Sequence, residues 1–218
     1  MGRSGTVRRP WDLLFSPLYD EYHKELEKCV VGHGDTLLDV GCGAESPIRT
    51  FSKKIRSTVG VDAHERSVEH SRNLGIHGSY QVMDITKISD KFSAKSFDIV
   101  LLSDVIEHLK KEDGTRLVHA AEKIAKKRVI IFTPNGYLRQ TPDDDNPHQT
   151  HLSGWLPAEM ERLGYRITGI NGLKFLRTEH ARIAWKPRFF WGKVSLLSQW
   201  IAKPFPELAF QILCVKDV

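Results

Sequence analysis

Residues 37 to 46 read LLDVGCGAES, and this stretch decides the fold. It opens with a short, largely apolar run that is typical of a buried strand. Gly41 and Gly43 follow directly, and such a pair lets the backbone turn sharply and approach a ligand closely, because no Cβ atom stands in the way. A tight strand-to-helix turn without any ligand has the same appearance. The glycine pair alone therefore leaves the function open.

Strand-like and helix-like segments alternate around this loop. We predict strands at 37–40, 57–62, 79–85, 97–106, 128–135, 166–170 and 208–215, and helices at 16–30, 47–55, 65–75, 114–125 and around 157–165. Repeated strand–helix–strand units of this kind build parallel sheets with helices on both faces. The predicted fold class is α/β, with a doubly wound, mostly parallel seven-stranded sheet and an antiparallel last strand.

The composition is that of a globular protein in a reducing compartment. The chain has 218 residues with a net charge of +5, and its three cysteines, Cys29, Cys42 and Cys214, are far apart and odd in number. This pattern favours free thiols over disulfide bonds. No apolar run approaches the ~20 residues of a membrane span, and the basic N-terminus lacks a signal-peptide core. We expect a cytoplasmic location, and the 178–206 segment could also make peripheral contact with a membrane.

The spacing of acidic residues narrows the choice of ligand. Asp62 closes the second strand 21 residues after Gly41, where a carboxylate can accept both hydroxyls of a ribose. An NAD site would need a third small residue and would place its pyrophosphate at the following helix N-terminus, where Glu45 would repel it. Asp39 likewise suits a cationic ligand. These residues argue against an NAD oxidoreductase and favour a sulfonium cofactor.

Five stretches together resemble the class I S-adenosylmethionine-dependent methyltransferases: LLDVGCG, VGVDAH, YQVMDI, SFDIVLLSDVIEHL and IIFTPN, which span Thr36 to Asn135. The resemblance implies a Rossmann-like methyltransferase fold with S-adenosyl-L-methionine as cofactor. By the family pattern, Asp39, Gly41 and Gly43 hold the methionine end, Asp62 the ribose, Asp84 and Ile85 the adenine, and Ser103 lines the far side. Glu45 departs from the pattern, since the family commonly has a further glycine there.

The resemblance also implies a division of the chain. We expect a single methyltransferase domain over 1–218, with an N-terminal helical cap at 1–33, a cofactor-binding core at 34–135 and a substrate-side region at 136–218. The last region contains an insertion at about 178–206, because more than thirty residues separate its two strands. A loop of that length in a compact domain is usually functional.

The motif SDVIEHL supplies candidate catalytic residues after the fourth strand. If it forms a helical turn, Asp104, Glu107 and His108 share one side. Together with His151 they could hold a divalent metal, Mg²⁺ or Mn²⁺, with open positions for a substrate. The cluster looks like that of the small-RNA 3′-end 2′-O-methyltransferases, and its Glu-His pair is similar to that of the ubiquinone-biosynthesis O-methyltransferases. Alternatively His108, His151 and Glu107 act in catalysis without metal, or are purely structural.

The insertion interleaves basic and aromatic residues. From Arg166 to Pro206 there are eight Lys or Arg residues and a single acid, Glu179. Such a segment could be a lid over an acceptor pocket, a membrane contact or a nucleic-acid contact. We favour the lid.

These observations together predict an S-adenosylmethionine-dependent methyltransferase that methylates oxygen on a small-molecule, sugar or lipid-linked acceptor. The alternatives are a metal-assisted 2′-O-methyltransferase acting on an RNA 3′ end, and a non-catalytic regulator that binds the cofactor. Nucleic acid is the less favoured partner. The sequence leaves the oligomeric state open.

Overall fold

The computed structural model describes residues 21–140, 147–178 and 181–218. Seven strands in this part of the chain form one sheet in the order β3-β2-β1-β4-β5-β7-β6. Strands β1 to β5 pair in parallel, and β7 runs antiparallel to both β5 and β6. The predicted sheet is thereby confirmed. The strands are β1 (Thr36–Val40), β2 (Ser57–Asp62), β3 (Ser79–Val82), β4 (Phe97–Ser103), β5 (Ala125–Pro134), β6 (Arg166–Leu173) and β7 (Ala209–Asp217).

Helices cover both faces of the sheet. They are α1 (residues 21–30), α2 (Glu65–Asn73), α3 (Ile88–Lys91), α4 (Lys111–Ile124), α5 (Pro157–Arg162) and α6 (Arg188–Ala202). Residues 16–20 of the predicted leading helix, like residues 1–20 of the predicted cap, lie outside the described residues. The remainder of that helix is present as α1.

Two apolar cores bury the sheet from opposite sides. Leu37 of β1 belongs to the core that includes Leu26 of α1, whereas its neighbour Leu38 belongs to the core that includes Val118 of α4. Successive side chains of a strand point to opposite faces, so a strand covered on both sides needs consecutive apolar residues. This explains why β1, β4 and β5 are nearly continuous apolar runs.

The helix predicted for residues 47–55 is wrong. The structure has two short 3₁₀ turns instead, Pro47–Thr50 and Ser52–Lys54. Between them Phe51 adopts a φ of −136° and buries its ring in the core, which interrupts helical geometry. The predicted start is nevertheless correct, because the Ser46 side chain accepts a hydrogen bond from the Ile48 N–H and Pro47 occupies the first helical position.

Candidate active site

A cavity of about 990 Å³ opens where β4 and β5 end and β7 begins. In an open α/β sheet this edge is the expected ligand site. Residues from several helices, strands and connections line the cavity. They include Tyr22 of α1, Ser103 at the end of β4, Asp104, Glu107 and His108 after β4, Phe132 and Pro134 of β5, His151, Asn171 of β6, Gln211 of β7, and residues 182, 188, 189, 192 and 193 before and within the start of α6.

Two imidazoles meet in this cavity. The rings of His108 and His151 are packed edge to face with their centroids 4.7 Å apart. Nδ1 of His108 lies 3.3 Å from the Thr150 carbonyl oxygen, and Nδ1 of His151 lies 2.6 Å from that of Leu138. A carbonyl can only accept, so each Nδ1 carries a proton, and in the neutral form of each ring Nε2 carries the lone pair. Burial, followed by the neighbouring His151, lowers the pKa of His108 to about 4, so His108 is neutral at pH 7.

Glu107 completes this group. One ligand atom from each of Glu107, His108 and His151 can be chosen so that all three lie within 4.8 Å of one another. The Glu107 carboxylate is buried and accepts a 3.0 Å hydrogen bond from the Thr133 hydroxyl through Oε2. Its other oxygen, Oε1, is buried and has no hydrogen-bond donor among the described residues. The three residues thus fit a small divalent cation, with the histidines oriented by backbone carbonyls as metal ligands usually are.

Asp104 is not a member of this group, because SDVIEHL does not form an α-helical turn and the strand predicted for 97–106 is shorter than expected. Strand β4 ends at Ser103, Asp104 has a left-handed φ of 51°, and Ile106–His108 form a 3₁₀ turn. The spacing of an α-helix therefore does not apply. Asp104 is open to the cavity, where its Oδ1 accepts a 3.2 Å hydrogen bond from the Gln211 side chain.

The two carboxyl groups influence each other. Glu107 is buried, and this burial, followed by repulsion from Asp104, raises its pKa well above its usual value, whereas Asp104 itself is exposed to the cavity. Two neighbouring carboxylates in a site of low dielectric constant resist ionising together. The Asp104–Glu107 pair consequently keeps a proton to a higher pH than isolated carboxyl groups do.

A short connection brings His151 to the end of β4. The backbone N–H groups of Leu152 and Ser153 donate to the Glu107 carbonyl oxygen, at 2.8 and 3.0 Å. Gly154 then passes so close to β5 that a Cβ there would lie 2.2 Å from the Tyr137 nitrogen. Trp155 follows as one of the largest fully buried side chains. These contacts fix the position of His151, which the sequence proposed from its type and spacing alone.

The predicted cofactor loop has the expected backbone. Gly41 and Gly43 both have positive φ, at 74° and 57°, and a Cβ on Gly41 would lie 2.5 Å from Val105. Asp62 joins the loop to the end of β2, because its carboxylate accepts hydrogen bonds from the N–H groups of Gly43 (2.9 Å) and His64 (2.8 Å). Lone pairs remain on both oxygens for ribose hydroxyls.

Asp39 has a different environment from the one expected of a direct ligand. Its carboxylate is buried and accepts from the Ser46 hydroxyl, and it pairs with His77 Nε2 at 2.8 Å. In this structure Asp39 stabilises the loop through these two buried contacts. Glu45, the departure from the family pattern, is exposed and pairs with Arg49 at 3.1 Å. Its charge is thereby partly balanced outside the loop.

The remaining predicted cofactor residues lie at the ends of β3 and β4. The Asp84 carboxylate caps the turn that starts at Ile85 by accepting from the Thr86 N–H at 2.9 Å. Ser103 Oγ lies 2.8 Å from the Tyr22 hydroxyl, and the Tyr22 ring stacks on Phe132. Tyr22 was missed by the sequence analysis, because nothing in an amphipathic helix indicates which polar tip reaches the site.

Two further wall residues were also missed. Asn171 has a φ of 67° and precedes Gly172 at an irregularity in the β6–β7 pairing. Its side-chain amide donates to Gln211 Oε1, which continues the chain of contacts to Asp104. The Asn-Gly pair was an available indication, since this dipeptide favours positive φ and a local break in a strand.

Residues 38–133 match the family model described as a methyltransferase domain. A ubiquinone biosynthesis O-methyltransferase from Pelagibacter ubique is 29% identical over 100 residues, which cover 44% of this chain and 40% of that protein. The protein of the same name from Agrobacterium fabrum is 23% identical over 158 residues, covering 64% and 59%. The matched region is thus shorter than two thirds of these relatives.

The fold is shared with solved structures. A SAM-dependent methyltransferase from Archaeoglobus fulgidus aligns with a TM-score of 0.59 and 16% identity, covering 96% of this chain and 100% of that one. At this identity the likeness concerns the fold. Among the described residues, no helix is both long and apolar enough to cross a membrane.

Proposed function

We propose that this chain, whose residues 38–133 match the model of a methyltransferase domain, is a class I S-adenosylmethionine-dependent methyltransferase that transfers a methyl group to a hydroxyl oxygen of a small-molecule, sugar or lipid-linked acceptor. The strongest support is the cavity at the edge of the sheet. Ser103 at the end of β4, Asp104 directly after it, and the imidazoles of His108 and His151 line this cavity. The name O-methyltransferase that the relatives bear supports oxygen as the atom methylated.

We assign the cofactor to the loop and strand ends described above. Gly41 and Gly43 leave room for its methionine end, supported from below by Asp39, and Asp62 offers acceptors to the ribose. Asp84 and Ile85 border the adenine position, and Ser103 lies on the acceptor side. When bound, S-adenosylmethionine supplies a methyl carbon that is already activated for displacement. The chain's own task is alignment, which can contribute ~7–11 kcal/mol to lowering the barrier.

The proton of the acceptor hydroxyl needs a base. We propose that an imidazole Nε2 of the His108–His151 pair takes it as the oxygen bonds to the methyl carbon and the carbon–sulfur bond breaks. The Nδ1–carbonyl contacts hold both rings in the tautomer that can accept this proton. Glu107 lies buried beside them, and its backbone carbonyl accepts from the Leu152 and Ser153 N–H groups, so we assign it a positioning role for His151. General-base catalysis of this kind contributes ~10²–10⁴-fold.

A divalent cation is the second candidate role for the same residues. The support is the fit of Glu107, His108 and His151 to one ion and the undonated Oε1 of Glu107. Mg²⁺ or Mn²⁺ held there would polarise an acceptor hydroxyl and lower its pKa. Asp104 lies outside this ligand group, contrary to the sequence-based prediction. The resemblance to small-RNA 3′-end 2′-O-methyltransferases makes an RNA end the alternative acceptor in this case.

We further propose that α6 lies on a membrane surface. Its buried face is small and polar, with Gly192, Ser195, Ser198, Gln199 and Ala202 turned toward β6. Its large apolar residues face outward instead: Leu197 is 78% exposed and Trp200 85%. A helix with this inverted distribution and basic neighbours suits the interface of an anionic membrane.

The same helix borders the cavity. Arg188, Phe189 and Lys193 of α6 line its wall, so a membrane under α6 would lie beside the cavity. This arrangement favours a lipid-linked acceptor over a freely soluble one. Helix α6 then serves both as the lid over the cavity and as the membrane contact, the two roles considered for the insertion.

The first test is calorimetric titration with S-adenosylhomocysteine, followed by transfer of a labelled methyl group from S-adenosylmethionine to a panel of phenols, sugars and prenylated phenols. We expect micromolar product binding and transfer to at least one hydroxyl acceptor. Absence of S-adenosylhomocysteine binding would contradict the proposal. Binding of S-adenosylhomocysteine with no transfer to any acceptor class, membrane extracts included, would favour the non-catalytic regulator.

A further inference from the structure

Arg177 is a buried cation for which the described residues provide no anion. Its side chain is only 8% exposed as a residue, and it lines the cavity. Nε donates to the Asn171 carbonyl at 2.7 Å and Nη1 donates to the Ala181 carbonyl. Nη2 is buried with no hydrogen-bond partner among the residues that the structure describes. No described carboxylate forms an ion pair with this guanidinium, and Glu179 lies outside the described residues.

This arrangement is unfavourable unless something else is present. Burial lowers the pKa of Arg177 to about 10, which still leaves the group charged at neutral pH. A buried charge normally has a counter-ion, and a buried donor normally has an acceptor, because each otherwise loses its hydration without compensation. The two backbone carbonyls satisfy part of the guanidinium but carry no net negative charge. An anion from outside the chain would supply what is missing.

Other basic residues line the same cavity, namely Arg182, Arg188 and Lys193. Its acidic lining residues are Asp104 and Glu107, where β4 ends, and Glu45 of the glycine loop. Arg177 is linked to Asp104 through two intervening residues: the Asn171 backbone carbonyl accepts from Arg177, the Asn171 side-chain amide donates to Gln211, and the Gln211 amide donates to Asp104. The cavity therefore carries cations from the insertion and its flank as well as carboxyl groups beside the candidate catalytic residues.

We infer that Arg177 binds an oxyanion, a carboxylate or phosphate, of the methyl acceptor, and that Arg182, Arg188 and Lys193 strengthen this binding. A guanidinium suits such a group because its planar N–H donors match two oxygen atoms. An acceptor held by Arg177 extends along Asn171 and Gln211 toward Asp104 and the two histidines. This inference rests on the proposed methyltransferase function and adds the chemical class of its substrate.

The test uses inorganic phosphate and acetate as probes on the full chain. Binding is measured by calorimetry at constant ionic strength, with the protein saturated by S-adenosylhomocysteine. We expect phosphate to bind the wild-type chain and the Arg177→Gln variant to bind it at least tenfold more weakly. Arg177→Lys should recover part of the affinity, and Arg66→Gln, which removes an exposed charge on α2, should change nothing. Stronger binding of acetate than of phosphate would identify the group as a carboxylate.

Several outcomes would overturn the inference. These are no phosphate or acetate binding to the wild-type chain, equal binding to Arg177→Gln, or phosphate binding that occurs only when S-adenosylhomocysteine is left out, which would assign Arg177 to the cofactor's own carboxylate. Unaltered S-adenosylhomocysteine affinity in each variant reports an intact fold. If Arg177→Gln does not fold, the double variant Arg182→Gln/Arg188→Gln, which changes two exposed residues, should still weaken phosphate binding severalfold, and an unchanged affinity would contradict the inference.

The two proposals fail separately. Loss of the methyltransferase function appears as absent S-adenosylhomocysteine binding, whatever phosphate does. Failure of the anion site appears as absent phosphate and acetate binding in a chain that still binds S-adenosylhomocysteine.

Discussion

The imidazole rings of His108 and His151 pack edge to face at 4.7 Å, with each Nδ1 next to a backbone carbonyl oxygen. One histidine follows β4 and the other belongs to a connection after β5, so the sheet itself creates the pair. Because both carbonyls accept from Nδ1, the lone pair of each ring in its neutral form lies on Nε2. The same two side chains can therefore act as proton acceptors or as metal ligands. Replacing His151 and Glu107 distinguishes these two roles.

Replacing His151 with Asn should abolish most of the catalytic rate without loss of cofactor. Asn cannot take a proton at neutral pH, so we expect kcat to fall by about 10²–10⁴-fold. The affinity for S-adenosylhomocysteine should remain within about twofold, because His151 is not among the loop residues. Single-turnover kinetics with the identified acceptor measure the effect. His119→Asn, an exposed substitution on α4, is the matched control, and a rate for His151→Asn equal to that of this control would remove His151 from catalysis.

The metal-assisted alternative predicts that the wild-type chain binds one Mn²⁺ ion per molecule and that Glu107→Gln loses this binding. The reason is that Glu107 is the anionic member of the three-residue group. Electron paramagnetic resonance of free Mn²⁺ measures binding without any assay of activity. Glu112→Gln, an exposed change on α4, is the control. Full methyl transfer in the presence of a strong chelator, with no Mn²⁺ bound, would instead support the metal-free base.

The stability of the sheet should depend on pH through Asp98. Its carboxylate accepts from the N–H groups of Asp35 (2.8 Å) and Thr36 (3.2 Å), and these bonds, with Lys127 nearby, hold its pKa below the usual value. A depressed pKa in the folded state means that the stabilisation is present above the unfolded pKa of about 3.9 and is lost as the pH falls through the folded value. We expect Asp98→Asn to lower the free energy of unfolding by roughly 1–3 kcal/mol at pH 7.

Urea denaturation across a pH series measures this contribution. The difference between wild type and Asp98→Asn should shrink below pH 4 and disappear once the wild-type carboxyl is protonated. A difference that stays constant down to pH 2.5 would mean that the effect of the substitution is steric and not electrostatic.

Binding to vesicles should depend on the outer face of α6. Trp200→Ser and Leu197→Ser should each weaken binding to vesicles of mixed phosphatidylcholine and phosphatidylglycerol by about 10-fold or more, because burying a large apolar side chain contributes roughly 1.5–3 kcal/mol. Co-sedimentation measures the partition. Leu74→Ser, which removes an exposed apolar residue at the end of α2, should have no effect. Equal sedimentation of all four proteins would exclude α6 as the membrane contact.

Gly154→Ala should disturb the site through the backbone. The added Cβ would lie 2.2 Å from the nitrogen and 2.5 Å from the Cα of Tyr137, and backbone atoms cannot move aside cheaply. We expect a loss of about 1–3 kcal/mol in the free energy of unfolding and a large fall in kcat, as the neighbouring His151 shifts. Gly78→Ala is the control, since its nearest contact would be an ordinary 3.4 Å. Identical stabilities of the two variants would show that the connection is free to adjust.

The local sequence determined the order of strands and helices and the position of the glycine loop. Continuous apolar runs such as β4 identify themselves, because a strand buried on both faces requires them. The glycine loop can also be predicted from the sequence, because Gly41 and Gly43 adopt a positive φ that costs glycine little. Both features, the buried strands and the glycine loop, depend on residues that are close together in the sequence. Antiparallel pairing of β7 was likewise foreseen, through the family resemblance and the strand count.

Tertiary structure decided what the local pattern could not. The buried ring of Phe51 broke an expected helix, and the positive φ of Asp104 removed it from the group that Glu107 forms with the histidines. Arg177 shows the difference most clearly. A sequence contains the charge of an arginine but not its burial or the lack of a counter-ion among the described residues, because both depend on residues that only folding brings together.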